Sequence, residues 1–216
     1  MVRHELGKWN LDELAKNPNR AIIDKKLARI ESDSKRFEKI KKSLNPKVSS
    51  GKFLKLLHDV ENIAEKSSVI GGYASLRYSE NTQSDEATAL LTRISKFGSD
   101  IENRLLFFDL WWKRQVDEKN AKRLIKSAGQ FSEYLRFKRL LAKYSLSEPE
   151  EKIINTLDVT GASALVKLYD KITNAYVYAV TVDGKKRTMD REHLTTLVRS
   201  KKAKTREAAY KSLFSK

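Results

Sequence analysis

The chain has 216 residues, no cysteine and a formal net charge of +16. A hydrophobic content of 40% is enough for an ordinary core and excludes a disordered chain, while the lack of cysteine excludes disulfides and thiolate chemistry. Charged residues reach 33%, and only 8 Gly and 3 Pro interrupt the chain, a balance that favours a mostly α fold.

The sequence shows no signal for export or membrane insertion. The opening residues lack the apolar core of a signal peptide, and no run approaches the roughly 18 apolar residues of a membrane span. The absence of cysteine is typical of a reducing compartment. We therefore expect a cytoplasmic protein with no membrane partner.

The first half of the chain predicts a short docking turn followed by long helices. Residues 9–14 form the turn, with Trp9 as its packing anchor. Asn17-Pro18 places a cap before a proline at the first helical position, and the helix that follows should end near Asn45-Pro46. Ser49-Ser50-Gly51 starts a second helix, which continues to a turn at residues 79–82.

Residues 85–114 predict the central helix of the fold. Apolar residues recur along one side at alternating four- and three-residue spacings, from Ala87 to Trp112. Near its end the helix is apolar on all sides, so it must be enclosed there. The residues that widen the apolar stripe are Leu106, Phe107, Leu110 and Trp111.

The second half predicts shorter helices and one small β-hairpin. Helices are expected over residues 117–128 and 131–144, then after the capping box at Ser147–Glu150, and again from Thr160-Gly161. Alternating β-formers on either side of Asp183-Gly184 predict a hairpin at residues 176–188. Helices at 190–199 and 203–214 follow. The fold class is thus a bundle of long antiparallel helices with shorter helices and one hairpin, and no linker divides the chain.

The sequence contains no motif for catalysis or metal binding. A zinc hydrolase would carry H-E-x-x-H, and the run that begins His4-Glu5 has lysine at the position of the second histidine. His58 and His193 stand alone, and the acidic pairs lie at helix starts, where the helix dipole favours them. We expect no catalytic residue, no metal ligand and no cofactor in this chain.

The C-terminal end is strongly basic. Residues 185–216 hold 11 Lys and Arg against 3 Asp and Glu. This surplus fits either a solvated helix surface or a basic module that binds nucleic acid. For the second alternative, the candidate anion-binding residues are Lys201, Lys202, Lys204 and Arg206.

The order of these pieces resembles the N-terminal region of oligoendopeptidase F, a zinc metallopeptidase of the thimet-oligopeptidase-like family. The resemblance rests on several stretches in the same order and extends over nearly the whole chain. They are W-N-L-D-E-L at 9–14, R-L-L-F-F-D-L-W-W at 104–112, L-S-E-P-E-E-K-I-I-N at 146–155, D-V-T-G-A-S-A-L-V-K-L-Y at 158–169 and L-V-R-S-K-K-A-K-T-R-E-A-A-Y-K-S-L at 197–213.

The resemblance implies a non-catalytic helical domain at residues 1–199 and the start of a catalytic lobe at 200–216. The zinc-binding H-E-x-x-H helix and a further glutamate ligand would lie downstream, and this chain alone would be inactive. The helices would form one wall of a channel that admits oligopeptides. A catalytic lobe would then cover Leu106, Phe107, Leu110 and Trp111, and we expect these residues to be exposed, or to drive self-association, in the isolated chain.

Overall fold

The computed structural model describes residues 10–15 and 18–215, and over these residues it confirms a mostly α fold with one hairpin. The expected packing of Trp9 and the cap at Asn17 lie outside the described residues. The elements are α1 (Arg20–Glu38), α2 (Ser50–Glu80), α3 (Asp85–Leu110), α4 (Glu118–Lys126), α5 (Ser132–Leu140), α6 (Glu148–Thr160), α7 (Ala162–Asn174), β1 (Tyr178–Val182), β2 (Lys185–Met189), α8 (Arg191–Val198) and α9 (Ala203–Leu213).

Side-chain caps fix where several of these helices begin. Asn19 Oδ1 accepts the backbone N–H of Ile22 and starts α1, while Ser49 and Ser84 do the same for α2 and α3. The capping box predicted at Ser147 and Glu150 is present at the start of α6. Each cap satisfies an N–H that the helix leaves unpaired, so short polar signals in the sequence locate these helix starts.

The long helices α1, α2 and α3 pack against one another and enclose an aromatic core. Residues 81–84 join α2 to α3 as an antiparallel pair, whereas α1 and α3 run parallel, since Asp24 pairs with Arg93 and Phe37 contacts Phe107. Phe53 of α2 lies at the centre, with its ring 5.2 Å from Trp112 and 6.1 Å from Trp111. Beyond Leu110, α3 continues as a wider π-helical turn, Trp111–Gln115, which carries both tryptophans into the core.

The short helices α4 and α5 close the end of the bundle where α3 finishes. Leu124 of α4 and Leu135 of α5 are buried against this core. The indole N–H of Trp112 donates to the carbonyl of Leu135 at 3.0 Å, and the Arg139 guanidinium donates to the carbonyls of Trp112 and Val116. These bonds fix α5 against the end of α3.

The hairpin and the last two helices form a second, smaller core. Strands β1 and β2 pair antiparallel across a tight turn in which Asp183 and Gly184 both have positive φ, as a type I′ turn requires. The inner residues of β1 pack on Leu194 of α8 and Ala209 of α9. The domain boundary expected at residue 199 stays a prediction, and α9 packs here on the hairpin that precedes it.

Candidate interaction surface

The interface candidates from the sequence lie mostly inside the molecule. Phe107 is 6% exposed, Leu110 7% and Trp111 2%, and only Leu106 is partly exposed. The expected exposure of Phe107, Leu110 and Trp111 is therefore wrong. The chain's own helices cover them, since the ring of Phe107 lies 5.8 Å from that of Phe37 in α1 and Trp111 packs on Phe53 in α2.

Helix α6 is packed with its polar side inward. Ser99 Oγ donates to the carbonyl of Asn155 at 2.9 Å, and the side chains of Asn103 and Asn155 are joined by a 3.0 Å hydrogen bond. The aliphatic residues of α6 face outward, with Ile153 58% and Leu157 60% exposed. This is the reverse of the usual arrangement, in which the apolar stripe of a surface helix faces the core.

Helix α7 repeats the inversion. It is held at the turn between α2 and α3 by polar bonds: Tyr78 Oη donates to the Lys167 carbonyl, Gln83 donates to the Lys171 carbonyl, and Lys171 pairs with Asp85 at 2.9 Å. Its large apolar residues are all exposed. Together these outward residues form what we call the α6–α7 apolar face: Ile153, Ile154, Leu157, Leu165, Val166, Leu168, Tyr169 and Ile172.

A groove of about 560 Å³ lies between α2 and α3 and is closed on one side by α5. Its floor is apolar and includes Phe108 and Trp112, while Leu105 and Leu106 line its wall. Acidic side chains, including Glu102, stand on its rim. We call it the α2–α3 groove. It is the place where Leu106, the one partly exposed interface candidate, reaches the surface.

The basic residues predicted to bind anions do not form a set of free cations. The Lys202 ammonium pairs with the Asp183 carboxylate at 2.9 and 3.0 Å. The Arg206 guanidinium donates to the carbonyls of Ser200 and Lys201. Lys201 and Lys204 are exposed on the same turn. Two of the four predicted side chains are thus engaged within the chain.

Within residues 10–15 and 18–215, no group of three or more His, Cys, Asp or Glu is placed to hold a metal ion. His58 Nδ1 lies 3.1 Å from Glu61 on α2, and His193 Nδ1 lies 2.8 Å from Asp190, which caps α8. In the same residues, no helix has the length and apolar character needed to cross a bilayer.

Comparison with known proteins identifies relatives for both the sequence and the fold. Residues 114–177 match the family model Peptidase_M3_N, described as Oligopeptidase F. No curated protein matches the chain. Among solved structures, the crystal structure of oligoendopeptidase-F from Enterococcus faecium matches with a TM-score of 0.70 and 20% identity, over 89% of this chain and 37% of that chain.

These findings differ in what they cover. At 20% identity the structural likeness shows a shared fold, and this chain spans only 37% of the length of the matched protein. The match to the family model is shorter but includes α4 to α7, and therefore the whole α6–α7 apolar face. Together they confirm the resemblance to oligoendopeptidase F, through the sequence of residues 114–177 and through the fold of most of the chain.

Proposed function

We propose that this chain is the non-catalytic N-terminal helical domain of a zinc-dependent oligoendopeptidase. Its helices form one wall of the channel that receives oligopeptides, and a catalytic lobe covers the α6–α7 apolar face. The observation that carries the proposal is the inverted packing of α6 and α7, which falls within the residues that match the Oligopeptidase F family. Two successive helices with their polar sides inward are arranged for a partner that supplies the missing apolar cover.

The energetics favour a covered face. A standard interface buries about 800 Å² on each partner. Somewhat more than half of such an area is apolar, and at about 25 cal/mol per Å² of apolar surface covering it would contribute about 10 kcal/mol before the costs of association are subtracted. Helix α7 alone has five large apolar residues that are roughly half exposed or more, including Leu165 at 66%. A lobe of the same protein would gain this stabilisation without the entropy loss of bringing two molecules together.

The described residues of this chain do not fit a zinc site. His58 and His193 are exposed on different helices, α2 and α8, and each is paired with a single neighbouring carboxylate. Zinc sites need three or four ligands that converge on one point. The proposal therefore assigns zinc and its chemistry to the catalytic lobe, and we derive no catalytic step from this chain.

The proposal is tested first by activity. The pure chain is incubated with zinc and a quenched fluorescent oligopeptide, beside a complete oligoendopeptidase as positive control. We expect no turnover by the chain alone. Turnover that a chelator abolishes would contradict a non-catalytic role. The reading frame after the Lys216 codon gives a second test, since the proposal expects it to continue to an H-E-x-x-H motif.

Nucleic-acid binding is the alternative, and it has weaker support. Its candidate cluster is divided, because Lys202 and Arg206 are engaged by Asp183 and by backbone carbonyls. Lys201 and Lys204 would have to carry the contact. Binding of this kind falls steeply with added salt, so a salt titration with short duplexes and single strands tests it. Loss of binding in a Lys201→Ala/Lys204→Ala variant would support this alternative over a catalytic lobe as partner.

A further inference from the structure

The α2–α3 groove has the construction of a ligand site. Leu57, Phe108, Trp112 and Leu135 are buried beneath it, and they come from three different helices that pack tightly. Its volume of about 560 Å³ is within the roughly 300–1,000 Å³ range of small-molecule sites. The floor is therefore rigid, apolar and formed before any ligand arrives.

The rim of the groove is acidic although the chain as a whole is basic. Glu61 is engaged by His58, and Asp109 is bridged by Lys113 at 2.5 Å and by Lys138 at 2.9 Å. Glu102 differs from both. No described residue gives its carboxylate a hydrogen bond or an ion pair. Among the acidic groups that line this rim, it is the one with neither a hydrogen bond nor an ion pair to a described residue.

Glu102 is exposed on the rim of the groove, and its surroundings disfavour its charge in two ways. Nearby protein atoms remove part of the water around the carboxyl and so raise the pKa of Glu102, and the nearby charge of Asp158 on α6 raises it further. A cation placed here would relieve both effects. The part of the groove beside Glu102 therefore suits a ligand that has an ammonium group next to an apolar surface.

We infer that the α2–α3 groove binds the N-terminal end of an apolar peptide, with the peptide ammonium on Glu102 and the first side chains on Leu105 and Leu106. The peptide class rests on the proposed function, whereas the cationic and apolar character of the ligand comes from the groove itself.

The length of the groove fits about three residues. Glu102 and Asp109 lie seven positions apart on α3, a separation of about 10 Å along a helix. Three extended residues span about 10 Å. At the Asp109 end, Lys113 and Lys138 outnumber the one carboxylate between them, so this end suits the carbonyls or the carboxylate of the peptide.

The test measures binding of the tripeptide Leu-Ala-Leu to the 216-residue chain by isothermal titration calorimetry. The same peptide with an acetylated N-terminus is the comparison. We expect acetylation to weaken binding about two- to fivefold, the effect of losing one exposed charge pair. The Glu102→Gln variant should lose the same factor with the free peptide and should no longer distinguish the two peptides.

Matched variants separate this site from a general effect. Glu86→Gln makes the same change on the same helix, in its exposed first turn, and should leave binding unchanged. Leu106→Ala should weaken both peptides alike, because it removes apolar contact and no charge. Circular dichroism checks that each variant is folded.

Three results would overturn the inference. They are equal binding of free and acetylated peptide, unchanged selectivity in Glu102→Gln, and no heat of binding at millimolar peptide. Occupation of the groove by a second copy of the chain, detected as peptide-sensitive dimerisation, would also overturn it. None of these results bears on the catalytic lobe, since the assay uses no peptidase activity. Discovery of activity in the isolated chain would leave the groove result intact.

Discussion

Two adjacent tryptophans are equally buried but differ in the hydrogen bonding of their indole N–H groups. Trp111 and Trp112 are each 2% exposed, and both rings pack on Phe53. The indole N–H of Trp112 donates to the Leu135 carbonyl, whereas the indole N–H of Trp111 is buried with no hydrogen-bond partner among the described residues. An unpaired buried donor costs about 1–3 kcal/mol, which the packing of Trp111 must offset.

The pair predicts unequal effects of one substitution. Trp112→Phe removes the hydrogen bond to the Leu135 carbonyl, while Trp111→Phe removes a donor that has no partner among the described residues. The two substitutions remove a similar volume of aromatic ring. We expect the free energy of unfolding to fall more for Trp112→Phe, by about 1–2 kcal/mol, when the two are compared by urea denaturation. Equal losses would show that packing alone decides both positions.

An ion pair between α1 and α2 predicts a contribution to stability that depends on pH. The Lys66 ammonium, 2.7 Å from Asp33, holds the pKa of Asp33 below its usual range, against the opposing effect of burial. Because the folded pKa is depressed, this stabilisation is present above the unfolded value near 3.9 and is lost as pH falls through the folded value.

The corresponding variant is Asp33→Asn, compared with Asp100→Asn at an exposed position on α3. We expect Asp33→Asn to lower the free energy of unfolding at neutral pH by about 0.5–1 kcal/mol, the range of a partly exposed pair. The difference from the wild type should shrink below about pH 4, where the unfolded carboxyl begins to bind a proton. Denaturant titrations from pH 3 to 7 measure this, and a difference that is independent of pH would exclude the pair as its source.

At the scale of elements, the sequence predicts helices well and their orientation poorly. The caps at Ser49, Ser84 and Ser147 are local signals, and the structure has each of them. The spacing of Leu165, Leu168 and Ile172 is that of a buried stripe, yet these residues face outward. Periodicity shows that one side of a helix is apolar, but it does not show which molecule covers that side.

The misplaced interface has a related cause. An end of α3 that is apolar all round does need cover, and the sequence of this end alone favours cover by a further lobe. Phe37 of α1 and Phe53 of α2 provide it instead. Contacts between residues so distant in sequence depend on how the helices pair in the bundle, and no local pattern records that pairing.

The inverted helix α7 predicts tolerance to polar substitution. The triple variant Leu165→Gln/Leu168→Gln/Ile172→Gln keeps good helix formers and alters only exposed positions. We expect its free energy of unfolding to stay within about 0.5 kcal/mol of the wild type for each substitution, and its tendency to self-associate to fall. Urea denaturation and light scattering measure the two effects.

The matched control places the same residue in the core. Leu124 of α4 is fully buried, and Leu124→Gln should destabilise the chain by about 3 kcal/mol or more, because it buries an unpaired amide. A loss of similar size in the α7 triple variant would mean that the α6–α7 apolar face is already covered within the chain.

At the scale of the whole molecule, the described residues form two hydrophobic clusters with no residue in common. One lies within the helical bundle, and the other joins β1 to α8 and α9. The sequence has no linker between them, so it predicts one continuous unit. The connection between the two clusters, after α7, is short and has no linker composition that would mark a boundary. It also carries Tyr176, whose ring contacts that of Tyr178 in the second cluster.

Because the two clusters are separate, we expect a substitution in one cluster to reduce the amide-exchange protection of that cluster alone. Leu194 is fully buried in the second cluster, and Leu194→Ala should cost that cluster about 2–5 kcal/mol. Amide hydrogen exchange should then accelerate across β1, β2, α8 and α9 while α2 and α3 keep their protection. Leu124→Ala should instead accelerate exchange in α2 and α3 and leave β1, β2, α8 and α9 protected. Acceleration across the whole chain in both variants would show that the clusters unfold together.

The proposed catalytic lobe over the α6–α7 apolar face would lie within reach of Leu168, so photo-crosslinking from this residue is the sharpest test of the proposed function. A photoreactive phenylalanine at this exposed position is irradiated in the cells that produce the protein, and the crosslinked peptides are identified by mass spectrometry. The same probe at Glu65, exposed on α2, is the control. We expect a crosslink from Leu168, absent from Glu65, to a polypeptide segment that carries an H-E-x-x-H motif. Crosslinks from Leu168 only to a second copy of this chain, or to nucleic acid, would contradict the proposed function.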